Sequence, residues 1–211
     1  MGGPGPEQRK VPRVFIAPQA FQRLKLYITL CPFEVGGLGT VEPFGDDLRV
    51  AEIFLIRQRA SDSDTELDPQ AVADHLLRTV QEGKDPAALR VWWHSHAEAD
   101  ITWSETDEKT IERLQIERLV SIVGNKQHQF GCRLDQFLPK RLTFDRLPLI
   151  PTPDGSPADE GALRQQVMVE LREKVTLIHR EYSDVPEIFF NPSSTLEIPI
   201  TFDEAEPPHP H

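Results

Sequence analysis

The segment WWHSHAEADITWSETD, residues 92–107, sets His94 and His96 two positions apart at the end of an apolar run. Ser104 and Asp107 follow, three positions apart. In a β-strand, residues i and i+2 project from the same face. His94 and His96 therefore point together, and Ser95 points away. Two neutral imidazoles side by side are ready nitrogen ligands for a metal such as zinc. A third ligand must come from elsewhere, and Asp107 is the strongest nearby candidate. Each part also has a plainer use. Ser-x-x-Asp ahead of an apolar periodic stretch is a helix capping box, and a lone His-x-His is more often packing. The two uses are compatible, because Ser104 can cap a helix and still present its hydroxyl to a site.

These side chains need a strand and a helix to hold them. Leu89–His96 reads as the strand, with Trp92 on the side of His94 and Trp93 opposite, both as core or wall. SETDEKTIERLQIERL reads as the helix, with Ile111, Leu114 and Leu119 inward. Upstream, VFIA (14–17) is a short strand, and Pro18 opens a helix that Pro32 ends. Val35–Val41 and Arg49–Gln58 are further strands. Asp68 followed by Pro69 starts a helix that Gly83 stops, with Val72, Leu76, Leu77 and Val80 as its inner face. Val120–Asn125 and Gln129–Leu138 pair around a turn at 124–127, and KRLTFDRLPLI is a candidate for one more strand. The pattern predicts an α/β sandwich with a largely antiparallel sheet.

Composition narrows the setting. Hydrophobic residues make up 38% and charged residues 27%, enough for one core in a chain of 211 residues. No apolar run reaches the roughly 18 residues of a membrane span. MGGPGPEQRK has no apolar signal core, so secretion is not expected. Cys31 and Cys132 form no disulfide framework and no zinc ribbon, and are expected to be buried thiols in a reducing cytoplasm. The net charge of −11 disfavours a nucleic-acid partner. Residues 151–211 hold 4 basic and 12 acidic side chains, so most of that charge lies there. Residues 1–12 read as a disordered N-terminus and 151–161 as a linker. Residues 162–211 read as a C-terminal helix, Ala162–Glu181 with Leu163, Val167, Leu171, Val175 and Ile178 as its stripe, and an acidic tail. His75, His128, His179, His209 and His211 are scattered and assigned to surface or packing.

Taken together, His94-x-His96, seven residues, then Ser104-x-x-Asp107 resembles the JAMM motif of the JAB/MPN metalloprotease family. The resemblance covers residues 13–150. It also predicts a glutamate near the start of the second strand in a Gly-rich context, which FEVGGLG supplies as Glu34. The order VFIA, helix, EVGGLG, IFLI, helix, VWWHSH, helix, VSIV is similar to the MPN fold, a cytidine-deaminase-like sandwich of a mostly antiparallel sheet with flanking helices. Here a C-terminal helical extension is added. In size the chain looks closer to bacterial stand-alone members than to subunits of large assemblies. Many relatives carry proline after the second histidine where this chain has Ala97, a departure that touches the loop and not the ligand set.

The resemblance implies a set of roles. His94, His96 and Asp107 hold Zn2+ and leave a fourth position open for water, as at catalytic zinc. Glu34 is the general base, and Ser104 donates a hydrogen bond to the oxyanion. The implied reaction is hydrolysis after the C-terminal glycine of a ubiquitin-like protein, in conjugate removal or precursor processing. The alternative is a non-catalytic MPN scaffold dimerising with another MPN or conjugation-system protein. Such members usually lack ligands that are all present here. Residues 162–211 are a candidate docking region for a conjugation enzyme or a second copy, with packing on the domain's own surface the plainer expectation.

Overall fold

The computed structural model describes residues 11–96, 100–114, 116–153, 155 and 158–178. Expectations for residues 1–10, Ala97, His179, His209 and His211, and for the IFF and LEIPITF segments, fall outside the described residues. In chain order the elements are β1 (Val14–Ile16), α1 (Pro18–Leu30), β2 (Gly36–Phe44), β3 (Asp47–Leu55), β4 (Gln58–Ala60), β5 (Thr65–Leu67) and α2 (Pro69–Gln81). After a 3-10 turn at Pro86–Ala88 come β6 (Leu89–His96), α3 (Glu105–Arg113), β7 (Arg118–Asn125), β8 (Phe130–Gln136), β9 (Leu142–Phe144), β10 (Leu149–Pro151), α4 (Glu160–Lys174) and β11 (Val175–Leu177). Local chemistry explains several boundaries. Pro18 and Pro69 occupy the first helical turns, where a missing N–H costs nothing. The Asp68 carboxylate accepts from the N–H groups of Gln70 and Ala71 and so starts α2. Gly45, at φ 62°, makes the tight turn between β2 and β3.

Eight strands form one mixed sheet in the order β10-β1-β3-β2-β6-β7-β8-β9, and β11-β4-β5 form a second, small sheet. Antiparallel pairs join β2 to β3, β2 to β6, β7 to β8 and β8 to β9. The pairs β1–β10, β1–β3 and β6–β7 are parallel, so the architecture is mixed α/β. Helix α3 makes the crossover from β6 to β7, as a parallel pair requires. The sheet must also curl. Five residue steps separate Phe144 of β9 from Leu149 of β10, a reach of at most about 18 Å. Yet these strands lie at opposite edges, about 34 Å apart across a flat sheet of this width. The backbone N–H of Leu147 in this connection donates to Cys132 O at 2.9 Å, which ties the far edge to β8.

The main core lies between the sheet and helices α1 and α4. Ile16, Leu24, Tyr27, Ile53, Trp93, Ile122 and their neighbours are buried there. Tyr27 of α1 stacks on Trp93 with ring centroids 5.4 Å apart. The Trp93 indole N–H is shared between Leu38 O and Phe54 O, both at 3.2 Å. Leu163, Val167, Leu171 and Val175, four of the five residues of the expected stripe, are buried in this same core. A smaller cluster of Trp92, Ile111 and Leu119 lies on the other face of β6, under α3.

Three local expectations are corrected. The helix of the SETD segment ends at Arg113, and Leu119 belongs to β7. Helix α4 stops at Lys174, where Val175–Leu177 turns extended and pairs in parallel with β4, a conformation that suits β-branched Val175 and Thr176. The apolar stripe of α2 does not face a core: Leu76, Leu77 and Val80 are 38%, 57% and 54% exposed, while Ala71 and Thr79 are buried. Cys31 and Cys132 are buried and free, as expected. Desolvation pushes their thiols up to about 11 and about 12, so neither is a nucleophile at neutral pH.

The GG of FEVGGLG has a steric cause. A Cβ on Gly37 would lie 2.0 Å from Phe54 O and 2.9 Å from Trp93 Nε1, inside the backbone of β3 and the core tryptophan. Gly37→Ala should therefore lower stability by about 1–3 kcal/mol. A urea titration should show a lower midpoint with an unchanged slope, and an unchanged midpoint would contradict this packing.

Candidate metal centre

His94 and His96 close β6, held between β2 and β7. His94 is in register with Gly36 on one side and Val123 on the other, and His96 pairs with Asn125. Their Nε2 atoms are 3.0 Å apart. Asp107 reaches them from the first turn of α3, with Oδ1 3.1 Å from His94 Nε2 and Oδ2 3.6 Å from His96 Nε2. All three residues are buried, and one ligand atom from each lies within 4.8 Å of the others. For bonds of about 2.0–2.1 Å, tetrahedral coordination puts ligand atoms about 3.3–3.4 Å apart. The observed separations bracket that figure, so the donor set fits a small divalent ion. Trp92 shares the face of His94, as strand geometry requires, and stacks on it at 4.5 Å.

Asp107 is positioned by the capping box. Its backbone N–H donates to Ser104 Oγ at 3.1 Å, and its Oδ2 accepts from Ser104 N–H at 2.7 Å and from Ser104 Oγ–H at 2.8 Å. Those contacts engage Oδ2 and leave Oδ1 directed at His94. The single hydroxyl proton of Ser104 is thus aimed at Asp107, and must turn away from it to reach any oxyanion. Helix α3 is itself tied down through the next residue. Glu108 forms a bidentate pair with Arg133 of β8, whose guanidinium also binds the fully buried Asp135 at 2.8 Å.

Tautomers follow from the outer contacts. His96 Nδ1 lies 2.6 Å from Asp100 O, which accepts only from an N–H. The proton therefore sits on Nδ1, and the Nε2 lone pair faces the site. His94 Nδ1 is buried without a hydrogen-bond partner among the described residues. Burial pushes the His94 pKa down, against the pull of Asp107. The Asp107 carboxylate favours a protonated His96 and pushes its pKa up, opposed by burial and helped by the Asp100 carbonyl and the charge of Glu34. Burial disfavours the ionised Asp107, but the nearness of both imidazoles and the hydrogen bonds from Ser104 outweigh it and hold the carboxyl far below its usual range.

Glu34 ends the loop before β2, with its N–H donating to Ser61 O at 3.1 Å. It is half-buried and lines the same cleft as His94, His96, Ser104 and Asp107, a hollow of about 650 Å³ walled by Trp92 and Thr65. The structure thus brings all five sequence-selected residues to one place. A larger hollow of about 1110 Å³ lies between α1, α2, α4 and β3, but it holds no cluster of metal-ligating groups among the described residues. Sequence reading did not select Asp100, Gln58 or the Arg133–Asp135 pair. Only the last carried a signal: opposite charges at i and i+2 in an otherwise apolar strand share one face.

No family model matches the chain, and no curated protein matches it. Among solved structures the chain is similar to the solution structure of protein DSY2949 from Desulfitobacterium hafniense. The identity is 14% and the TM-score 0.50, over 67% of this chain and 94% of that one. At that identity the likeness concerns the fold alone. No helix among the described residues is long and apolar enough to cross a membrane.

Removing the Ser104 hydroxyl should act twice. Ser104→Ala should cost about 0.5–2 kcal/mol through loss of the cap. It should also weaken metal affinity about 10- to 100-fold, because Asp107 loses the contact that orients it. Chemical denaturation and calorimetric metal titration read the two effects separately, and unchanged affinity would show that the hydroxyl does not set the ligand.

Proposed function

We propose that this chain is a JAMM-type zinc metallopeptidase of the MPN fold that hydrolyses the bond after the C-terminal glycine of a ubiquitin-like protein. One observation carries the reading: His94, His96 and Asp107 converge in a cleft that Glu34 also lines. Two nitrogens and one carboxylate oxygen suit zinc and leave a position open, the pattern of a catalytic rather than a structural site. The mixed α/β sheet with its parallel β6–α3–β7 crossover is compatible with the MPN arrangement.

A zinc ion in this site supplies Lewis acidity that makes water a competent nucleophile near neutral pH. Glu34 takes a proton from the attacking water and delivers it to the departing amine. The Asp100 carbonyl keeps His96 oriented through its Nδ1–H, Trp92 stacks on His94, and Asp107 would complete the set of ligands. Ser104 rotates from Asp107 to meet the negative charge that grows on the scissile oxygen. Thr65 belongs to β5, the outer strand of the small sheet, and lines the cleft. An extended tail adding to such an edge by main-chain hydrogen bonds would run along the cleft that His94, His96 and Asp107 line.

The test is incubation of zinc-loaded protein with ubiquitin-like fusions, with and without chelator, followed by mass spectrometry. A product ending in glycine, abolished by chelator, is expected. Glu34→Gln should keep zinc and lose about 10²–10⁴ in turnover. Activity that survives chelation, or that survives Glu34→Gln, would contradict the reading. A stable partner complex indifferent to both would favour a scaffold.

A further inference from the structure

Gln58 lies outside the set of metal-facing side chains, yet it is 1% exposed and both polar atoms of its carboxamide are used. Its Oε1 accepts from Gly36 N–H at 2.8 Å, and its Nε2 donates to Gly36 O at 2.8 Å and to Ile56 O at 2.6 Å. The carboxamide thus pairs with both backbone groups of Gly36, as a neighbouring strand would. Thr65, at the lip of the metal cleft, donates its hydroxyl to the same Oε1 at 2.6 Å. A buried amide costs free energy unless fully paired, so complete pairing makes Gln58 stiff.

What it stiffens is the segment that leads into β2 at the metal cleft. Gly36 is two residues from Glu34 and in register with His94. From the opposite side, Ser95 takes Val35: its Oγ accepts from Val35 N–H at 2.9 Å, and its own N–H donates to Val35 O at 2.7 Å. Glu34 N–H is taken by Ser61 O, in the turn between β4 and β5. Three consecutive residues are therefore fixed by three different partners. Gly36 also lies against β6 with no room for a side chain. A Cβ built there would lie 2.9 Å from Trp93 O.

We infer that Gln58 is a positioning residue for Glu34: its carboxamide locks Gly36 so that the glutamate is presented to the metal cleft at a fixed distance and angle. The inference rests on Glu34 being the base. It assigns to the β4–β5 hairpin a role in catalysis as well as in folding. A misplacement of about 1 Å in a reacting group can cost about 10²-fold in rate. Loss of the clamp should therefore lower kcat and spare KM and the zinc ligands.

The experiment uses the full chain with zinc, in Gln58→Met and the milder Thr65→Val, each made with and without Glu34→Gln. Gln58→Met should lower kcat about 10- to 100-fold with KM and calorimetric zinc affinity unchanged. Thr65→Val should move kcat the same way by less. Neither should lower the rate further when Glu34 is already Gln, because two residues acting through one group are not additive. Amide exchange at Gly36 should speed up at least about tenfold while Ile122 in the core is unchanged. Additive losses in the Glu34→Gln background, or zinc affinity falling along with kcat, would make Gln58 merely structural and overturn the inference. So would unchanged exchange at Gly36. Full activity in Glu34→Gln alone would remove the base itself, and the positioning role with it, a result distinct from loss in Glu34→Gln with additivity.

Discussion

The carboxylate of Asp107 serves two partners at once. One oxygen closes the N-terminus of α3 through Ser104, and the other faces the imidazole of His94. Neither arrangement forces the other in general, since a capping box needs only a helix start. Here the crossover from β6 to β7 sets the helix N-terminus above the end of β6, so one residue meets both demands. The positive end of the helix favours the ionised carboxylate there. Glu108, the next residue, is pinned by Arg133, so the turn that carries Asp107 is held from both the strand side and the sheet side.

The second constraint is the approach of β2. Its Gly-Gly pair lets the backbone sit against Phe54 O and the Trp93 ring, and that closeness sets the register in which Gly36 lies opposite His94. A one-residue slip would turn every side chain of the segment to the other face. Trp93 supports the register from within the core, with its indole N–H bridging β2 and β3. Core packing and site geometry are thus the same set of contacts seen from two faces of β6.

Much of this was legible in the residues. Alternation put the two histidines on one face with Trp92, and the proline and aspartate signals placed the starts of α1 and α2. Glu34 could be named only through resemblance, because a lone acid at a strand start has no local signature. Other features were hidden for physical reasons. The stripe on α2 records that the helix is amphipathic, not which surface lies near it, and Leu76, Leu77 and Val80 remain exposed. The end of α4 is decided by pairing with β4, a contact more than one hundred residues away in sequence. The curl that carries β10 to the opposite edge depends on the whole sheet. Gln58 gave no sign, since its partners are backbone groups of residues it meets only after folding.

The proposed function requires one divalent ion held by His94, His96 and Asp107. Anomalous diffraction above and below the zinc edge, on crystals grown with zinc, tests it most directly. A single strong difference peak within bonding distance of both Nε2 atoms and an Asp107 oxygen, about 2.0–2.2 Å from each, is the predicted result. A zinc peak elsewhere on the surface, with these three side chains unbridged, would rule out this metal site.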